Sequence, residues 1–145
     1  GENVKDIIRE LNKPILLVNS EFITPKKILI AYNGSEESKK ILTTAVRNPI
    51  FKDVTRDIVN INDDKLFSEK ILDEAKKIYA KSEIDIKTSV LSGDAKTEIL
   101  TYMYENDCDI LAMGAFGHSR IKEFIFGSFT SEIIAQSKKP ILFYR

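Results

Sequence analysis

The chain has 145 residues, 43% of them hydrophobic and 30% charged, which suits one globular domain able to bury a core and leaves little for a second. Lys plus Arg equals Asp plus Glu at 22 each, so the formal net charge is zero and no basic stripe marks a nucleic-acid binder. Cys108 is the single cysteine, which excludes an internal disulfide and fits a small buried side chain in a reducing cytosol.

In chain order, "DIIRELNKPILLV" at residues 6–18 is an amphipathic run followed by Lys-Pro and an aliphatic block that suits a buried strand. "KKILIAY" at 26–32 is a strand closed by the turn signal Asn33-Gly34. A helix follows, with Ser35 as its cap, Glu36 and Glu37 complementing the dipole, and Ile41, Leu42, Ala45 and Val46 on one face. "DVTRDIVNI" at 53–61 alternates as a strand does. From 65 to 81 a helix is expected, with Phe67, Ile71, Ala75 and Ile78 lining one side and Leu72 and Tyr79 widening the stripe. Strand 84–91 turns through Ser92-Gly93-Asp94 into a helix over about 95–106, and "DILAM" at 109–113 is the next strand. A helix over 128–139 and a strand over 140–145 close the chain. This alternation from 26 onward argues an α/β fold, a parallel sheet covered on both faces. No apolar stretch reaches transmembrane length and no signal-peptide core opens the chain, so a soluble, cytoplasmic protein is expected. The first residue is Gly1 rather than Met, so residue 1 is not expected to be the natural start.

The most specific segment is "GAFGHSRIKEFIFGSFTSE", directly after "DILAM", where Gly114, Gly117 and Gly127 place half of the six glycines within fourteen residues. A glycine after a strand lets backbone approach a ligand, and Gly-Ser at a helix start presents free N–H groups at the positive end of a dipole, which suits phosphate. Turn punctuation and a plain N-cap by Ser128 are the alternatives. The P-loop pattern is absent, and "YNGS" after the first strand cannot supply G-x-G-x-x-G, so neither a Walker-type NTPase nor a dinucleotide-binding Rossmann domain is supported.

The spacing G-x2-G-x9-G-S, with "KKILIAYNGSEES", "SGDAKTEIL", "DCDILAMGAFG" and "KKPILFYR", closely resembles the universal stress protein family over residues 26–145. The resemblance implies a doubly wound, open five-stranded parallel sheet of order 3-2-1-4-5 counted from the strand at 26, Rossmann-like or flavodoxin-like and akin to adenine nucleotide alpha hydrolases. It implies a stress-response regulatory domain binding ATP or another adenine nucleotide, with or without magnesium. By this similarity Asn33, Ile61, Met113, Gly114 and Gly117 approach the nucleoside and α-phosphate, and Gly127, Ser128 and Thr130 receive the outer phosphates. Arg120, Lys122 and His118 lie in the nine-residue loop as solvated residues or added phosphate contacts. Three positions depart from the family pattern: Asn33 where Asp is usual, Phe116 in place of a polar or basic residue, and Phe129, whose bulk is placed to crowd the phosphates. Asp63 and Asp64 follow the second strand; Asp64 suits a helix cap, and either could face ribose hydroxyls or a magnesium-bound water.

No nucleophile and base pair is evident, so an enzyme is the weaker reading, with slow ATP hydrolysis as one alternative and an interaction domain without nucleotide as another. Placing Gly1 on Gly127 aligns 1–18 with 127–144 without a gap, and seven positions are identical: Gly1, Ile7, Ile8, Lys13, Pro14, Ile15 and Leu16. Residues 1–25 therefore read as the last helix and strand of a preceding universal stress domain plus a linker, in a tandem protein. Family dimers commonly pair their final strands antiparallel. The expectation is that residues 14–19 pair antiparallel with 140–145, within one chain or across a swapped homodimer.

Overall fold

The computed structural model describes residues 14–18, 21, 23–114 and 128–144. Its elements are β1 (Ile15–Leu17), β2 (Lys27–Ala31), α1 (Glu36–Arg47), a 3-10 turn (Pro49–Phe51), β3 (Thr55–Ile61), α2 (Lys65–Ala80), β4 (Ile86–Leu91), α3 (Ala95–Glu105), β5 (Ile110–Gly114), α4 (Ser128–Gln136) and β6 (Ile141–Tyr144). They form one six-stranded sheet of order β1-β6-β5-β2-β3-β4. The five strands from β2 onward are parallel and keep the expected 3-2-1-4-5 order, while β1 joins the β6 edge antiparallel, Ile15 opposite Phe143 and Leu17 opposite Ile141.

Alternation along each strand divides the core between the faces of the sheet. Ile28, Ile30, Ile58, Ile110, Ala112 and Leu142 pack under Ile41, Leu42 and Ala45 of α1 and Leu72, Ala75 and Tyr79 of α2. Leu29, Val59, Leu111, Met113, Ile141 and Phe143 pack under Ile99, Tyr102 and Met103 of α3 and Ile133 of α4. Hence β2, β5 and β6 read as near-continuous apolar runs, as buried parallel strands do.

Each of the first three helices begins on a side-chain cap. Ser35 Oγ accepts from Ser38 N at 3.2 Å, Asp64 Oδ1 from Phe67 N at 3.1 Å and Asp94 Oδ2 from Thr97 N at 3.0 Å. The buried stripe of α2 is rotated from the expected one. It runs Ser68, Leu72, Ala75, Tyr79, whereas Phe67 is 49% and Ile78 36% exposed. The reason is Ser68, whose hydroxyl donates to Asn60 Oδ1 at 2.6 Å. A buried serine with a partner belongs to the inner face although its polarity removes it from an apolar pattern.

Candidate functional site

From the neighbouring strands β2 and β5 the chain winds outward in opposite directions, toward β4 and toward β6, which opens a crevice at their carboxyl ends. A cleft of about 210 Å³ lies there, lined by the ends of β2, β3 and β5 and the starts of α3 and α4. Its walls are apolar at Ala31, Ile61, Ile99, Met113 and Phe129 and neutral polar at Asn33, Asn60 and Thr130.

The polar groups fix the walls. Asn60 is only 5% exposed; its Nδ2 donates to the Tyr32 carbonyl at 2.9 Å and its Oδ1 accepts from Ser68, so one amide ties the ends of β2 and β3 to the first turn of α2. Tyr32 is buried, and its hydroxyl donates to Glu74 Oε2 at 3.2 Å. Burial first and the Glu74 carboxylate second push the Tyr32 pKa well above its ordinary value, so the phenol stays protonated. Asn33 Oδ1 accepts from Ser35 N and Ser38 Oγ, both at 3.0 Å, which makes the turn into α1 an Asx turn.

Gly114 is needed for packing. A Cβ built on it would lie 2.6 Å from Glu37 Cβ and 3.1 Å from Ser38 N, so the first turn of α1 rests directly on the end of β5. The sequence reading assigned this glycine to ligand approach; the structure supplies a second demand on the same missing side chain.

Of the residues expected at the site, Asn33, Ile61, Met113, Gly114 and Thr130 line this one cleft. Ser128 is the first residue of α4, and Gly117 and Gly127, like Phe116, His118, Arg120 and Lys122, fall outside the described residues. Phe129 lines the cleft and also packs against the core beneath α3 and α4. Asp64 caps α2, and Asp63 Oδ1 accepts from Gly93 N at 3.1 Å, tying the turn after β3 to the turn after β4. Among the described residues no group of three or more His, Cys, Asp or Glu could hold a metal, so no protein ligand set for magnesium is assigned. Tyr32, Asn60 and Ile99 were not foreseen as lining residues. Position at a strand's carboxyl end was the available signal for Tyr32 and Asn60, and Ile99 looks like ordinary core in any one-dimensional pattern.

An open α/β domain with an apolar cleft at its topological switch point defines a class of nucleotide-sized binding folds. Residues 24–145 match the universal stress protein family, and the chain belongs to that family. It is 33% identical over 147 aligned residues to universal stress protein Slr1230 of Synechocystis sp., covering all of this chain and 51% of that protein, so the chain spans about half the length of that relative. A universal stress protein from Archaeoglobus fulgidus DSM 4304 superposes with TM-score 0.80 at 17% identity, over 97% of this chain and 52% of that one. The Archaeoglobus fulgidus universal stress protein in complex with dAMP superposes with TM-score 0.66 at 18% identity, over 85% of this chain and 100% of that one. Other solved structures with this fold are complexes with AMP and with cAMP, at TM-scores of 0.64 and 0.70. Among the described residues no helix is long and apolar enough to cross a membrane.

Proposed function

We propose that this domain binds an adenine nucleotide, with ATP as the physiological form, and acts as a stress-response regulatory module rather than an enzyme. The carrying observation is that residues chosen from three separate strand ends and one helix start, Asn33, Ile61, Met113, Gly114 and Thr130, line one cleft at the switch point. A cleft of about 210 Å³ takes a base and part of a sugar between Ile61, Ile99 and Met113. The phosphates then lie toward the start of α4, where the helix dipole favours an anion, with Gly117, Gly127, Ser128 and Thr130 as their contacts. Calorimetric titration with ATP and AMP tests this. Saturable binding supports it, whereas no heat at millimolar nucleotide favours the interaction-domain alternative, and sustained phosphate release favours the ATPase. Gly127→Val abolishes binding on this reading, and Ser128→Ala weakens it by about 1.5–3 kcal/mol, one hydrogen bond to a charged group.

We also infer that residues 1–25 are the closing helix, strand and linker of a preceding domain of the same family. The 97% and 100% coverages of this chain come from relatives about twice its length, whereas the dAMP-bound relative, itself fully covered, leaves 15% of this chain unmatched. Ile15, Leu16 and Leu17 are each half-buried, and a half-buried aliphatic contributes roughly 1 kcal/mol against about 1–2 kcal/mol to order its backbone. So short a strand gains from an anchor before it. Joining the chain to its preceding domain should raise the urea midpoint for residues 15–17; an unchanged midpoint would argue against the tandem arrangement.

A further inference from the structure

The register of β2 with β3 ends at Ala31 opposite Val59, and one further backbone bond follows, from Tyr32 N to Val59 O at 2.9 Å. The Tyr32 carbonyl is then left to the side chain of Asn60, whose Nδ2 donates to it at 2.9 Å. A carbonyl can only accept, so this contact settles which way the amide is turned: Oδ1 faces α2 and accepts from the Ser68 hydroxyl at 2.6 Å. Asn60 and Tyr32 line the cleft, whereas Ser68 is buried behind them and does not. We propose that Ser68 is a positioning residue for the nucleotide: its hydroxyl holds the Asn60 amide on the Tyr32 carbonyl, and so fixes the gap between the ends of β2 and β3 against which the nucleoside sits. The inference rests on the adenine-nucleotide reading and adds to it a residue behind the cleft wall. Without the hydroxyl, Asn60 Oδ1 is a buried acceptor that has lost its donor, and the cleft that Asn60 lines becomes the source of another. An amide turned that way leaves the Tyr32 carbonyl, and Tyr32 and Ile61 lose their common link. Ordering the two strand ends again then falls on the ligand, which lowers affinity without removing any ligand contact.

The test is calorimetric titration of AMP and of uncharged adenosine into the wild type, Ser68→Ala, Asn60→Ala and the double variant. The folded state of each is checked by its thermal transition, and trimethylamine N-oxide is added to all where Ser68→Ala is only partly folded. Ser68→Ala is expected to bind both ligands about fivefold more weakly than wild type, and to cause no further loss in Asn60→Ala, where the link is already broken. Tyr102→Phe removes a buried hydroxyl bond to Asp57 at the far end of the sheet; as the control for lost stability alone it should bind like wild type. Wild-type affinity in Ser68→Ala overturns the inference, as does a Ser68→Ala loss that persists at full size in the Asn60→Ala background or is matched by Tyr102→Phe. A loss confined to AMP also overturns it, because Asn60 and Tyr32 stand at the nucleoside end. A wild type that binds neither AMP nor adenosine overturns the nucleotide reading itself and this inference with it, a failure visible without any variant.

Discussion

The two ends of the sheet use polar residues in opposite ways. At the amino ends of the strands, buried polar groups are answered largely by the protein itself, although Arg56 Nε is buried with no hydrogen-bond partner among the described residues. Arg56 is 5% exposed and donates to the carbonyls of Val54 at 2.6 Å, Ala45 at 2.8 Å and Phe51 at 2.9 Å. Asp57, also buried, accepts from the Tyr102 hydroxyl at 2.7 Å, and Asp109 Oδ2 accepts from Lys26 N and Lys27 N. At the carboxyl ends, Asn33, Asp63, Asp64 and Asp94 are exposed, and their oxygens shape turns and caps around an open cleft. The amino end is a nearly closed set of partners that holds the sheet, and the carboxyl end joins one buried link, Asn60, to small exposed supports that leave room for a ligand.

The largest effect that tests this contrast is at Arg56. Among the described residues no carboxylate pairs with it; the partner is the negative end of α1, whose Ala45 carbonyl lies in the last turn and lacks an intrahelical donor. Arg56→Ala leaves buried carbonyls unanswered and a cavity beside Tyr79, and should cost about 3–5 kcal/mol in urea unfolding. Nucleotide affinity of the folded fraction should hold. A cost below about 1 kcal/mol would mean that water replaces the guanidinium and that this end is not closed.

Next is Gly114→Ala, which belongs to the other end. Its new Cβ meets the backbone and Cβ of Glu37, so α1 must shift, at about 2–3 kcal/mol. Because Gly114 and Asn33 both line the cleft, stability and nucleotide affinity should fall together, unlike at Arg56. Loss of stability with full affinity would detach α1 from the site.

Tyr102→Phe returns to the amino end and removes the hydroxyl donor to Asp57, an expected loss of about 1–2 kcal/mol. It also carries a pH signature. Burial first, then the bond to Asp57, pushes the Tyr102 pKa from 10.0 to about 12, and burial does the same for Tyr79. Since the folded value lies above the unfolded one, the protonated phenols support the fold below pH 10, and that support is lost as pH rises from about 10 toward 12. Urea midpoints at pH 9 and 11 should differ less in Tyr102→Phe than in wild type. An equal difference would remove Tyr102 from the alkaline response.

The contrast also separates what was legible in the sequence. Element order could be read because it rests on periodicity, whereas the strand order with its switch point followed from the family resemblance, and the antiparallel pairing of β1 with β6 from that resemblance joined to the repeated Lys-Pro-Ile-Leu. Caps such as Ser35 and Asp64 could be read because their partners lie three residues away. Arg56, Asp57 and Ser68 could not. In "DVTRDIVNI" two adjacent charged residues look like solvent positions, and only the fold brings Arg56 to the end of α1 and Asp57 to Tyr102, 45 residues onward. The same holds for Asn33. Its identity was plain in the sequence, but the commitment of its Oδ1 to Ser35 N and Ser38 Oγ depended on how α1 leaves the turn.

The smallest effect is expected at Asp94, and it isolates the exposed kind of support. Its carboxylate accepts from Thr97 Oγ1 at 2.7 Å and Thr97 N at 3.0 Å at the start of α3, and these bonds hold its pKa below the ordinary carboxylate value. A lowered folded pKa means that the cap supports the fold above the unfolded pKa near 4 and loses that support as pH falls through the folded value. Asp94→Asn keeps an acceptor for Thr97 N but has no charge to lose. Its stability between pH 6 and pH 3 should therefore fall slightly less than that of the wild type, and at pH 7 the two should be nearly equal. Ala95 beside it lines the cleft, so the variant should also leave nucleotide affinity almost unchanged if the caps at this end act one by one. A large loss of affinity in Asp94→Asn would show that the carboxyl-end supports are coupled through the cleft, and the contrast between the two ends would then be one of exposure alone.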